Sequence, residues 1–170
     1  MDLLQMTIPL ILFLLLIIPM GRYVAGVLSG GRTFADPVLD RVDGFLFRLA
    51  GIRPEPMGWK WYAVSLFLTN AVMMGAAFLL LVLQNLMPLN PNGIGPMELS
   101  LAVNTAISFM TNTNLQHYAG EWGVSHFSQM AVITFLMFTS AASGLAACAA
   151  FIRGLTGGGE GLGNFFVDMV

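Results

Sequence analysis

A chain of 170 residues with 56% hydrophobic and 9% charged side chains cannot clothe a soluble surface, which ordinarily needs about 25% charge. Lipid is the expected solvent, and the expected fold class is an all-α membrane protein. The net charge of −2, with no basic cluster interleaved with aromatics, excludes a nucleic-acid partner, and the single cysteine, Cys148, excludes an internal disulfide.

Leu3 to Met20 is almost wholly apolar and long enough to cross a bilayer core, which takes about 20 helical residues. With an extension through Val27 it gives residues 1–28 as an N-terminal transmembrane helix. A cleaved signal peptide wants a positive start, whereas this chain starts with Asp2 and has its first basic residue at Arg22. Residues 29–59 form a connector. Within it, Asp36 and Pro37 read as the cap and first residue of a helix. Val38, Leu39, Val42, Phe45, Leu46 and Leu49 then recur at helical spacing up to Gly51. This pattern predicts an interfacial amphipathic helix over 37–50.

Residues 60–152 carry the rest of the membrane region. A second span is expected over 61–87, opened by the interface-seeking rings of Trp59, Trp61 and Tyr62. Its Asn70 requires a partner on another helix. Met97 to Met110 is helix-like behind Pro96, a candidate first helical residue. A third span is expected over 124–152. Its small residues Ser140, Gly144 and Ala147 predict a face for close helix packing, and Cys148 among alanines reads as a packing residue. Residues 153–170 read as a cytoplasmic loop. Its "GGGEGLG" lacks the preceding strand and following lysine of a phosphate loop.

The basic residues set the topology. Arg22, Arg32, Arg41, Arg48, Arg53 and Lys60 lie between the first two spans, and Arg153 follows the third. The positive-inside rule places that connector in the cytoplasm and the N-terminus outside. Arg153 joins the other six inside only if 97–110 dips into the membrane and returns. Fourteen residues make about 21 Å of helix, short of a core of about 30 Å. The expected order is therefore span, half-helix 97–110, return loop 111–121, span.

The return loop contains "TNTNLQ". Backbone at membrane depth without helical partners must be buried in protein or line water. Its carbonyls can replace a cation's hydration shell, and the half-helix C-terminus adds partial negative charge. Without a carboxylate, such a site suits a weakly hydrated monovalent cation better than a hard divalent one. An ordinary exposed loop remains open, since Asn and Thr are common in turns. His117 and His126, nine apart with no cysteine beside them, give no transition-metal site. Glu121 has no acid–base partner nearby, and the twelve methionines read as packing residues.

"NTAISFMTNTNLQHYAGE", "FSQM", "SAASG" and "GNFFVD", together with "MPLNPN" and "LFRLAG", resemble the potassium-translocating A subunit family (KdpA) of the Kdp-type P-type ATPase. The resemblance covers essentially the whole chain. It implies a K+-channel-like superfamily in which four helix–pore-loop–helix units surround one selectivity filter behind an extra N-terminal helix. This chain would hold that helix and the first unit. Thr111, Asn112, Thr113 and Asn114 would form the filter strand, with Gln116 beside the ion path.

The implied role is the N-terminal part of the K+-binding pore subunit of an ATP-driven, high-affinity uptake complex in the bacterial inner membrane. It is not an enzyme by itself and needs no organic cofactor. Its partners would be the lipid bilayer, the remaining pore units, an ATP-hydrolysing P-type subunit and small accessory membrane subunits. Two departures stand out. Leu115 replaces a usual Trp, and the family's subunit is about three times longer. A fragment, a truncated product and a split subunit all fit, and a non-conducting scaffold or assembly piece is the alternative function.

Overall fold

The computed structural model describes residues 2–29, 31, 36–157 and 161–170. Arg32 of the connector and Gly158, Gly159 and Glu160 of "GGGEGLG" lie outside the described residues, whose regular elements are helices with no strand among them. The chain divides after Arg53 into two units.

The first unit holds two helices. α1, Asp2–Leu28, has 27 residues and is about 40 Å long. Apolar all round, it accommodates Pro9 and Pro19 as membrane helices do. α2, Asp36–Ala50, exposes Leu39, Val42, Phe45, Leu46 and Leu49 in the spacing of a single apolar stripe. Gly51 ends it at φ +66°, a backbone state that costs glycine little. The Ile52 N–H then donates to the Phe47 carbonyl at 2.9 Å, closing the last turn.

The second unit is built around two long helices. α3 runs Trp59–Val82. Its continuation does not extend as α-helix to Met87 but tightens into a 3-10 turn, Gln84–Leu86, because Gln84 is drawn wholly into the core. α4, Leu99–Met110, starts two residues later than the pattern implies. Glu98 rather than Pro96 opens it, its carboxylate accepting the Leu101 N–H at 2.9 Å. Its 12 residues make about 18 Å, too short for a bilayer core of about 30 Å.

After a non-helical stretch come two short pieces, α5 (Gly120–Gly123) and α6 (His126–Ser128). A six-residue π-helical segment, Gln129–Thr134, then leads into α7, Phe135–Leu155. His126 to Leu155 is long and apolar enough to cross a membrane, as are Leu4–Val27 and Trp59–Val82. A last short helix, α8, covers Phe165–Met169.

Two cores hold this unit. One packs α4 between α3 and the third span, through Ala77, Leu81, Ala106, Phe109, Val132 and Leu136. The other, at the opposite end, joins Tyr62 of α3, Ala146 and Ala150 of α7, and Phe165 of α8.

Asn70 finds its partner on α7, accepting a hydrogen bond from the Ser143 hydroxyl at 3.0 Å. The small residues of α7 divide between a buried and an exposed face. Ser140 is buried, but Gly144, Ala147 and Cys148 are exposed, and the buried row continues through Ser143, Ala146, Ala149 and Ala150. The contacts of Ser143 with Asn70 and of the Ala146 carbonyl with Tyr62 fix that rotation.

Candidate functional site

One buried side chain brings both ends of the central hairpin together. The Gln84 amide donates to the carbonyls of Gly95, at 2.9 Å, and Gly123, at 3.1 Å, and its oxygen accepts the Ser125 N–H at 3.1 Å. The segment from Gly95 to Gly123 therefore leaves and returns to one point beside the end of α3. α4 is its descending limb, and residues 111–119 climb back without helical structure. Gln129 holds the upper part of that limb, its amide donating to the Gly120 carbonyl at 2.9 Å.

A helix leaves its last four carbonyls without intrahelical partners, and here the loop supplies partners for those of Ile107, Ser108 and Phe109. The Ile107 carbonyl takes the Thr111 N–H and hydroxyl, both at 2.9 Å. The Ser108 carbonyl takes the N–H groups of Thr113, at 2.9 Å, and Asn114, at 3.1 Å. The Ser108 hydroxyl accepts the Leu115 N–H at 2.7 Å and donates to the Leu115 carbonyl at 3.2 Å. Three successive N–H groups, those of 113, 114 and 115, thus face Ser108.

No peptide bond among the described residues is cis. In a trans peptide the carbonyl points opposite to the N–H of the next residue. The carbonyls of Asn112, Thr113 and Asn114 therefore form a row directed away from Ser108. The row stops at Leu115, whose carbonyl turns back to the serine.

Such a row needs an alternating backbone, and the residue choice provides it. Asn112 and Asn114 sit at φ +57° and +55°, while Thr113 between them does not adopt positive φ. Asn is among the residues that tolerate the left-handed region best after glycine. The side chains alternate as well. The Thr111 and Thr113 hydroxyls lie 2.9 Å apart, and the Asn114 amide donates to the Asn112 side-chain oxygen at 3.0 Å. Threonines pair with threonine and asparagines with asparagine.

Residues 111–117 are exposed. A depression of about 190 Å³ beside them is lined by Asn104, Ser108, Thr111, Thr113 and His117, among others. A larger groove of about 660 Å³ runs from Thr111 and Asn112 along Asn70, Ser140, Ser143 and Gly144. Gln116 is exposed, with its amide 3.5 Å from the Tyr118 hydroxyl.

The polar groups that face outward from 111 to 116 are uncharged, oxygens among them, next to the negative end of α4. That arrangement can replace part of a cation's hydration shell. Among the described residues no three of His, Cys, Asp or Glu gather as a metal cluster.

Sequence reasoning missed the organising roles of Ser108, Gln84 and Gln129. A faint signal exists for Gln84, an amide at the end of the apolar run "LLLVLQNL". A second unpredicted cluster lies at the other end. Arg153 forms a two-bonded pair with Asp168, at 2.6 and 2.9 Å. The Tyr62 hydroxyl sits 2.9 Å from the same carboxylate and 2.7 Å from the Ala146 carbonyl.

Comparison with known proteins agrees with the resemblance. Residues 7–170 match the family model described as the potassium-transporting ATPase A subunit. The chain is 51% identical over 171 residues to the potassium-transporting ATPase potassium-binding subunit of Clostridium acetobutylicum, covering 100% of this chain and 30% of that protein. It is 50% identical over 167 residues to the subunit of the same name from Gloeobacter violaceus, covering 98% and 29%. The Caldanaerobacter subterraneus counterpart is 49% identical over 160 residues, covering 94% and 28%. The chain thus spans 28–30% of the length of these relatives. On the extent of the family match and the identity along its whole length, this all-helical chain belongs to the potassium-transporting ATPase A subunit family.

Proposed function

We propose that this chain is the N-terminal part of a K+-binding and K+-selecting pore subunit. Residues 60–152 form one helix–pore-loop–helix unit, and Thr111, Asn112, Thr113 and Asn114 supply one wall of its filter. Gln116 stands beside the ion path. The observation that carries this reading is the row of Asn112, Thr113 and Asn114 carbonyls turned away from Ser108. Ions held by such dipoles are weakly hydrated monovalent cations, and the named relatives are potassium-binding subunits.

Leu115 ends the row, with Ser108 holding its backbone while its side chain is exposed. The other walls come from further pore units of the complete subunit. ATP is hydrolysed in a partner P-type subunit, with small accessory membrane subunits completing the complex. The assembly resides in the bacterial inner membrane with the chain's N-terminus outside, the orientation that the positive-inside rule favours for the basic connector.

The test is Gln116→Arg in the complete subunit assembled with its partners. A fixed cation beside the ion path repels K+, so high-affinity uptake is lost while membrane insertion continues. Unchanged K+ uptake by an inserted Gln116→Arg protein would refute the assignment.

A further inference from the structure

Resting on the filter reading, we propose that Ser108 is a positioning residue for ion selection, its hydroxyl setting the geometry of the carbonyl row. Ser108 is 7% exposed and meets the return limb at three consecutive residues. Its carbonyl holds the N–H groups of Thr113 and Asn114, and its hydroxyl holds both polar backbone groups of Leu115. The carbonyl contacts persist with any side chain at this position. The hydroxyl contacts do not.

The hydroxyl pins the end of the row at which the backbone reverses. Serine near a helix end readily makes this kind of local bond to the backbone. Without the hydroxyl, the Leu115 N–H loses its partner at 2.7 Å, and the limb from Asn114 to Leu115 gains slack. A cage of carbonyls discriminates between ions through its size and the number of oxygens it presents. A slack limb can close around a smaller ion and holds the larger one less well. The hydroxyl therefore acts on the ion through the position of the Asn114 carbonyl, without touching the ion.

The experiment uses the complete subunit assembled with its partner subunits in proteoliposomes. It measures the K+ dependence of uptake and the inhibition of that uptake by Na+, normalised to assembled complex. Ser108→Ala is expected to raise half-saturating K+ about tenfold, on the scale of one lost buried hydrogen bond, and to let Na+ compete at lower concentration. Ser108→Thr keeps a hydroxyl and is expected to recover both. Asn114→Val serves as the control on the filter itself, since a β-branched residue fits poorly at φ +55°.

If Asn114→Val shifts K+ half-saturation and Na+ inhibition while Ser108→Ala changes only the amount of assembled complex, the Ser108 proposal falls and the filter reading stands. If Asn114→Val leaves both unchanged as well, the filter reading falls and takes this proposal with it. If Ser108→Thr behaves like Ser108→Ala, the hydroxyl is not the positioning group.

Discussion

Two polar clusters sit at opposite ends of the second unit and use their groups in opposite ways. At the Asp168 end the polar side chains bind one another and nearby backbone. Arg153 binds the carboxylate with two nitrogens and also donates to the Leu162 carbonyl at 3.0 Å. Asn164 caps α8 and donates to the Glu55 carbonyl at 2.8 Å. Met57 and the 162–163 backbone exchange two hydrogen bonds, at 2.7 and 3.2 Å. Gly163, at φ +90°, leaves room for Arg153 where any Cβ would collide with the guanidinium. At the loop end the N–H groups of Thr113, Asn114 and Leu115 are bound to Ser108 and a row of carbonyls faces outward, with the Asn112 carbonyl 3.5 Å from the Asn114 amide. A cluster that satisfies itself ties chain segments together, whereas one that satisfies mainly its donors keeps acceptors available for something else.

This contrast can be broken at the closed end first. Asp168→Ala leaves Arg153 without its counter-ion. Removing one partner of a buried pair costs about 3–5 kcal/mol, and the 28% exposure of the Arg153 side chain reduces that to about 2–3 kcal/mol. The expected result, read by thermal unfolding of the complete subunit in detergent, is a clear loss of stability with an unchanged K+-over-Na+ preference. A changed preference would mean that the two clusters are not separate in function.

Tyr62→Phe is a milder form of the same test. It removes one hydroxyl but keeps the ring that packs edge-on against Phe165 at 5.7 Å. The expected loss is about 1 kcal/mol, again visible in unfolding and absent from ion preference.

The smallest effect sharpens the other end. Ser100 and then the Ser100 and Leu101 backbone hydrogen-bond the Glu98 carboxylate and hold its pKa below the ordinary 4.5. A lowered carboxylate pKa means that the cap contributes fully above the ordinary value and is lost as pH falls through the lowered one. Unfolding midpoints of wild type and Glu98→Ala should therefore differ slightly at neutral pH and converge in acid once the pH has fallen below that lowered pKa. A difference that persists there would remove the charge from the explanation.

Some of this architecture is legible in the chain and some is not, for physical reasons. Lipid dictates span length and apolarity, so Leu4–Val27, Trp59–Val82 and His126–Leu155 are visible as hydropathy. The polarity of "TNTN" is equally plain. The rotation of α7 is not, because a helix apolar all round has no dominant period to say which face turns inward. The small-residue spacing points to Gly144 and Ala147, and within this chain Ser143 and Ala146 hold the contacts to α3. Gln84 and Ser108 were invisible for a different reason. Their partners are backbone groups whose positions depend on the fold, and backbone groups leave no mark in a sequence. Tyr62, Arg153 and Asp168 are three single residues up to 106 positions apart, with no local pattern to link them.

The two ladders of the loop give this stretch a parity. Threonine meets threonine and asparagine meets asparagine because each pair is two residues apart, and the left-handed positions keep the same step. Inserting or deleting one residue between Ser108 and Leu115 would exchange the two sides, moving threonines to the positive-φ positions and breaking the tether at the serine. The number of residues between Ser108 and Leu115 is therefore part of the design, alongside their identity.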